Sequence, residues 1–166
     1  MSRGFVKEDD QEEPPFVPPR AVLPDGVDNY VTPEGKQALL DEKEALLSSF
    51  RATEQLEERD KRREQAVINV QLSQLEERIA SAIVIQPDAN TSEVRFGTTV
   101  TFKNLDKGSQ QRFKIVGVDE ASIRAHKVAF TAPLIKAMVG KQLGETFTAH
   151  IQGSEQHFKV LRVEVE

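Results

Sequence analysis

The chain reads as an α+β protein: an N-terminal antiparallel helical hairpin followed by an antiparallel β domain with one short helix. Three observations predict this. Residues 34–86 carry two helical runs with no proline before Pro87. The apolar seam lapses midway through them. Beyond Pro87 the pattern switches to short alternating runs of the kind half-buried strands need.

The hairpin opens at Thr32-Pro33-Glu34. Thr32 suits an N-cap, Pro33 the first helical position, and Glu34 the positive end of the helix dipole. Leu39, Leu46 and Phe50 then fall on one side, with Leu40 and Leu47 beside them. In the second run, Ile68, Leu72, Leu75, Ile79 and Ala82 alternate steps of four and three, the spacing of a packed helical seam. Between the runs, Arg51 to Arg63 is nearly bare of apolar residues. One continuous helix would need a continuous seam, so two helices folding back explain the pattern better than one long dimerising helix. The turn is placed within Thr53 to Asp60, with arms of about 24 residues, or about 36 Å each.

Pro87 to Ser92 reads as a linker. Strands are expected at Val94–Phe96, Thr99–Phe102, Arg112–Val118, Lys127–Phe130, Thr146–Ile151 and His157–Val163, where β-branched and aromatic residues alternate with polar ones. Lys107-Gly108-Ser109 and Gln152-Gly153-Ser154 are hairpin signals. Pro133 to Val139, closed by Gly140, is the one helical interruption. Ahead of the hairpin, residues 1–29 form an acidic, proline-rich arm, expected to be disordered or extended because it has little apolar area to bury. Phe5, Val6, Phe16 and Val17 are its apolar islands, either docking points or parts of a solubilising tail. The domain boundaries are therefore 1–29, 30–86 and 87–166.

Composition limits the chemistry. The net charge of −5 argues against a polyanion binder over the whole chain, so any phosphate contact needs a local basic patch. The chain has no cysteine, which excludes disulfides, thiolate metal sites and cysteine nucleophiles. His126, His150 and His157 lack metal-ligand spacing, and no phosphate loop, dinucleotide fingerprint or Ser/His/Asp arrangement is present. The opening residues have no apolar h-region and no run approaches the ~20 apolar residues of a membrane span. The expectation is a cytoplasmic protein without a membrane partner.

Two features carry a family resemblance. Thr131 to Glu145 contains Ala132, Pro133 and Leu134, a short helix, Gly140-Lys141, two residues, then Gly144-Glu145. This resembles the C-terminal signature of the Gre family of bacterial elongation factors. Val94 to Val100, Ile79 to Ile85 and Tyr30 to Gly35 resemble the family's entry strand, the end of its second hairpin helix and the start of its first. The likeness runs in order from Asn29 to Glu166.

The resemblance implies an N-terminal coiled coil and a C-terminal FKBP-like domain. That domain would dock bacterial RNA polymerase at the rim of its secondary channel while the coiled coil passes inside. Contact with nucleic acid would be indirect, within the elongation complex, and the factor would act as a monomer. It would hold no cofactor or metal of its own; any magnesium would be shared with the polymerase active site. It would be no enzyme itself, at most stimulating cleavage by the polymerase.

The family's tip motif, Gly-Asp-x-x-Glu-Asn-x-Glu-Tyr, is absent here, and the hairpin looks shorter by about a heptad per arm, or about 10 Å. The candidate acidic tip residues are Glu54, Glu57, Glu58 and Asp60. They are either substitute magnesium ligands or a solvated turn with partners such as Glu57–Lys61 and Glu58–Arg62. Arg59, Lys61, Arg62 and Arg63 form a basic cluster suited either to RNA phosphates and acidic polymerase surface or to balancing nearby glutamates. Four readings stay open: a non-cleaving regulator of paused or backtracked complexes, similar to the short-hairpin regulators named for nucleoside diphosphate kinase; a full cleavage stimulator; an FKBP-like prolyl isomerase or chaperone, which fold alone does not establish; and an interaction module with no link to the polymerase.

Overall fold

A computed structural model describes residues 13–166; the acidic run through Glu12 and the islands Phe5 and Val6 lie outside them. Strand β1 (Asn29–Val31) leads into helix α1 (Pro33–Ala52). A 3-10 turn (Thr53–Gln55) reverses the chain into α2 (Glu58–Ser81), which runs directly into β2 (Ala82–Val84). The β domain follows: β3 (Thr99–Asn104), β4 (Gln110–Val116), β5 (Lys127–Ala129), α3 (Pro133–Met138), β6 (Thr146–Ile151) and β7 (Ser154–Glu164).

The hairpin forms where the seam lapses. Its arms are 20 and 24 residues, so the first is shorter than expected. Thr32 caps α1 by accepting from the Gly35 amide at 2.9 Å. The buried seam is narrow: Leu39 and Leu75 meet Val31 of β1, flanked by half-buried Leu46, Ile79 and Ala82. Ala82 departs from the helical expectation, because the chain turns extended there and β2 pairs with β1 in parallel, Asn29 opposite Ala82 and Val31 opposite Val84. Periodicity could not show this pair, since each strand is only three residues long.

The five-stranded sheet has the order β5-β4-β3-β7-β6. Both expected hairpins form, β3–β4 and β6–β7. Two expectations are corrected. The sheet is mixed rather than antiparallel throughout: β5 joins β4 in parallel, because the chain crosses over after Val116 instead of turning back. Val94–Phe96 is not a strand. Its backbone is engaged locally, with the Val94 amide donating to the Lys141 carbonyl at 2.8 Å. The inner face of the sheet packs Val100, Phe102, Ile115, Phe147, Phe158 and Val160 against Ile135 and Met138 of α3.

Residues 13–28 are extended but anchored. Arg20 reaches both the hairpin and the β domain, and the Ala21 carbonyl accepts from Arg78 of α2. No helix among the described residues is long and apolar enough to cross a membrane.

Leu75 is fully buried in a seam with few other buried side chains. Leu75→Ala is expected to cost about 2–5 kcal/mol, read as a lower midpoint in urea with the far-UV spectrum retained below the transition.

Candidate functional site

The three candidate sites are the joint at the base of the hairpin, its tip, and the signature turn beneath α3. The joint is built by the crossover after β4. Asp119 is nearly buried, with its side chain 5% exposed, and takes two arginines from different segments. Arg20 Nε donates to its Oδ1 at 3.0 Å, and Arg78 Nη1 faces its Oδ2 at 3.5 Å. Arg20 also holds Glu42 of α1 with two hydrogen bonds, at 2.7 and 3.0 Å. The bond to Glu42 is the chief reason its guanidinium titrates above the ordinary value, with Asp119 adding to it against the opposing effect of burial.

Glu120 extends the cap of α1 from another domain. Its carboxylate accepts from the Thr32 amide at 3.1 Å, from the Thr32 hydroxyl, and from the Gly117 amide at 3.3 Å. The approach is too close for side chains at two glycines. A Cβ on Gly117 would lie 2.4 Å from the Tyr30 carbonyl oxygen, and one on Gly35 would lie 2.1 Å from Glu120 Cδ. Tyr30 completes the joint by packing with Phe96 and Phe130, ring centroids 5.4–6.0 Å apart.

The tip falls within the expected stretch. Thr53 is buried there: its hydroxyl donates to the Phe50 carbonyl at 2.6 Å and accepts from Gln65 at 2.9 Å. The expected pairs Glu57–Lys61 and Glu58–Arg62 do not form. Lys61 instead crosses the turn to Glu54 at 2.7 Å, which raises its ammonium above the ordinary lysine value, and Arg62 reaches the Glu58 backbone carbonyl at 3.4 Å. The reason is geometric: the 3-10 turn brings Glu54 over the first turn of α2. Glu57, Glu58, Asp60, Arg59, Arg62 and Arg63 are exposed, as is Leu56 at 44%. No group of three or more His, Cys, Asp or Glu side chains among the described residues is placed to hold a metal ion.

The signature is mostly backbone architecture. Ala132 is the N-cap of α3 without a side-chain bond, and Pro133 is its first residue. Leu134 packs on the core from the side. Gly140 and Gly144 have φ of +87° and +85°, a region that favours glycine. The Gly140 amide donates to the Val94 carbonyl and the Gly144 amide to the Val160 carbonyl. The Lys141 carbonyl receives the Val94 amide, and the Glu145 carboxylate accepts from the Gln142 amide at 2.6 Å. This framework displays two apolar side chains that sequence reasoning passed over, Val139 and Leu143, 47% and 57% exposed. Arg20, Arg78, Asp119 and Glu120 were also missed, since Arg20 and Asp119 stand 99 positions apart.

Residues 88–165 match the family model described as transcription elongation factor GreA/GreB, C-terminal. The transcription elongation factor GreA of Bacillus cereus is 32% identical over 149 residues, spanning 80% of this chain and 94% of that one. The chain belongs to the Gre family of transcription elongation factors. GreA of Hyphomonas neptunium is 34% identical over 100 residues, 60% of this chain, and the match covers 64% of that relative's length. Among solved structures, the GreA factor homologue Gfh1 of Thermus thermophilus aligns over 83% of this chain and 99% of its own, at 18% identity and a TM-score of 0.40. The matched residues 88–165 include the turn Gly140–Glu145, which closes the β domain under α3.

The joint makes two predictions. Asp119→Ala leaves two arginines facing a vacated, largely buried site, and its unfolding free energy is expected to fall by about 3 kcal/mol in urea denaturation. Gly117→Ala forces the Tyr30 carbonyl away and is expected to lower stability by about 1–3 kcal/mol, with amide exchange accelerating first at Ile85, whose amide donates to the Val31 carbonyl beside it.

Proposed function

We propose that this Gre factor binds bacterial RNA polymerase through its β domain and places the hairpin in the secondary channel. There it modulates paused or backtracked complexes in the cytoplasm without efficiently stimulating cleavage. The family membership supports polymerase as the partner. The observation that carries the non-cleaving reading is the tip. Glu54 pairs with Lys61 across the turn, and Glu57, Glu58 and Asp60 are exposed, with no group of three or more such side chains among the described residues placed to hold a metal ion.

Hydrolysis of a phosphodiester through metal ions needs hard oxygen ligands held at the metal. The family's tip motif would supply them where it is present. Here the chain's own residues do something else: Thr53 and Gln65 stiffen the turn, while Arg59, Arg62 and Arg63 present cations beside Leu56. A tip of this kind occupies space and meets negative charge without donating a ligand set.

The docking surface is proposed to centre on Val139 and Leu143, held outward by the glycine turn. An exposed apolar pair on a rigid frame is the kind of anchor an interface buries. In pull-down with core polymerase, Val139→Asp with Leu143→Asp is expected to weaken binding at least tenfold. With a stalled, backtracked elongation complex, saturating wild-type protein is expected to change pausing while cleavage stays at background. Cleavage above background that vanishes in Glu57→Ala with Glu58→Ala would overturn the non-cleaving reading. Absence of polymerase binding would overturn the whole assignment.

A further inference from the structure

The outer face of the five-stranded sheet carries a charge arrangement that folding does not require. Lys103 of β3 and Lys159 of β7 are direct cross-strand partners. Lys114 of β4 and Lys127 of β5 are partners as well. Like charges placed directly opposite destabilise a sheet. Two such pairs stand on one face, and none of the four lysines forms an ion pair among the described residues. Between the pairs, Arg112 and Arg162 flank Thr101.

Six cations thus cross four adjacent strands in a chain whose net charge is −5. Residues 88–166 hold eleven Lys and Arg against nine Asp and Glu, so the acidic excess lies in the arm and hairpin. The countercharges on this face include Glu155 of β7, four positions from Lys159, and Asp106, which pairs with His157. Glu164 sits between the two arginines, 3.3 Å from Arg112 and 3.1 Å from Arg162, and Glu166 also meets Arg112. Glu34 at the start of α1 feels Lys114 and Lys127 weakly, beyond its larger backbone hydrogen bond.

We propose that this face binds the phosphate backbone of nucleic acid directly, independently of sequence. Charge complementarity calls for a polyanion. The rest of the face decides which one. Its uncharged members are hydroxyls and amides, such as Thr101, Thr146 and Gln110, which donate hydrogen bonds to phosphate oxygens. A protein partner would instead need an apolar centre to bury, and the paired outward positions from Lys103 to Arg162 and Thr146 are polar, with half-buried Leu161 at the bulge beside Arg162. No phenylalanine, tyrosine or tryptophan ring projects from these positions either, because the phenylalanines of these strands point into the core. That leaves bases without a stacking platform and makes the backbone the recognised group. Adjacent strands lie about 4.8 Å apart and alternate residues about 6.8 Å apart, so the cations form a two-dimensional array about 20 Å across. The surface lies on the opposite side of the sheet from α3 and does not depend on the polymerase reading.

Fluorescence anisotropy of a labelled 20-base-pair DNA duplex, titrated with the full chain and no polymerase, tests this. Binding is expected at 50 mM salt and should weaken about a hundredfold by 200 mM, from a log–log slope of about −3 to −4 for four neutralised phosphates. Lys103→Glu with Lys159→Glu is expected to weaken binding at least tenfold and reduce the slope by about two. Glu164→Gln, which frees both arginines, is expected to tighten it about threefold. Circular dichroism checks that each variant is folded. Alanine at Arg59, Arg62 and Arg63 is expected to change affinity by less than twofold. The proposal is overturned if the duplex does not bind at 50 mM salt, or if the hairpin variant loses binding while the sheet variants keep it. It is overturned in favour of an acidic protein surface if poly-glutamate displaces the duplex as well as unlabelled duplex does at equal charge.

Discussion

Two adjacent carboxylates on the crossover after β4, Asp119 and Glu120, determine where the hairpin stands. A largely buried carboxylate must find donors or cations, and neither residue finds enough of them in its own domain. Glu120 takes the amide and hydroxyl of Thr32, and Asp119 takes Arg20 and Arg78. Satisfying these charges brings together the arm, both helices and the sheet. Thr32 shows how tightly the parts are shared. Its one hydroxyl donates to Glu120 while accepting from the Gly35 amide that begins α1. Helix capping, usually a local matter, here reaches across two domains.

That constraint accounts for features that look incidental alone. Gly35 and Gly117 permit backbone and carboxylate to approach where a methyl group would collide. The three-residue pair β1–β2 ties the two ends of the hairpin to each other, and Val31 then fills the seam between Leu39 and Leu75. Because the hairpin's buried seam is concentrated near this base, most of its order is anchored there. The far end relies on polar bonds, Thr53 to Phe50 and Gln65, and on the exposed pair Glu54–Lys61. Such exposed pairs contribute little to stability, so the tip's residues are answerable mainly to whatever the tip meets.

The β domain separates its tasks by face. The inner face is the core, closed by α3 and by the glycine turn that leaves Val139 and Leu143 outward. The outer face is cationic, with lysine opposed to lysine across two strand pairs. Period-two alternation makes this separation possible, since changes on one face leave the other's packing alone. The acidic excess of residues 1–87 and the basic excess of residues 88–166 give the two parts of the sequence opposite net charge, an arrangement invisible in the total.

Much of the fold was legible in the sequence because it depends on near neighbours. The cap Thr32-Pro33-Glu34, the lapse from Arg51 to Arg63, the two glycine hairpins and the helix that begins at Pro133 and is closed by Gly140 are each set by residues within a few positions of one another. The family too was legible from one short signature. The order of the sheet was less so: β5 joins in parallel because of a crossover, and Val94–Phe96, though it alternates like a strand, spends its backbone on the turn beneath α3. At the tip, a helical-spacing rule predicted Glu57–Lys61, but the 3-10 turn gave Lys61 to Glu54. The joint and the cationic face lay beyond the sequence altogether. Arg20 and Asp119 are 99 positions apart, and Lys103 opposes Lys159 only through the register of two strands. Periodicity and turn chemistry determine which elements form, because they act over one or two turns of chain. Which charges meet is decided only when the elements pack, because a carboxylate is satisfied by the nearest donor in space.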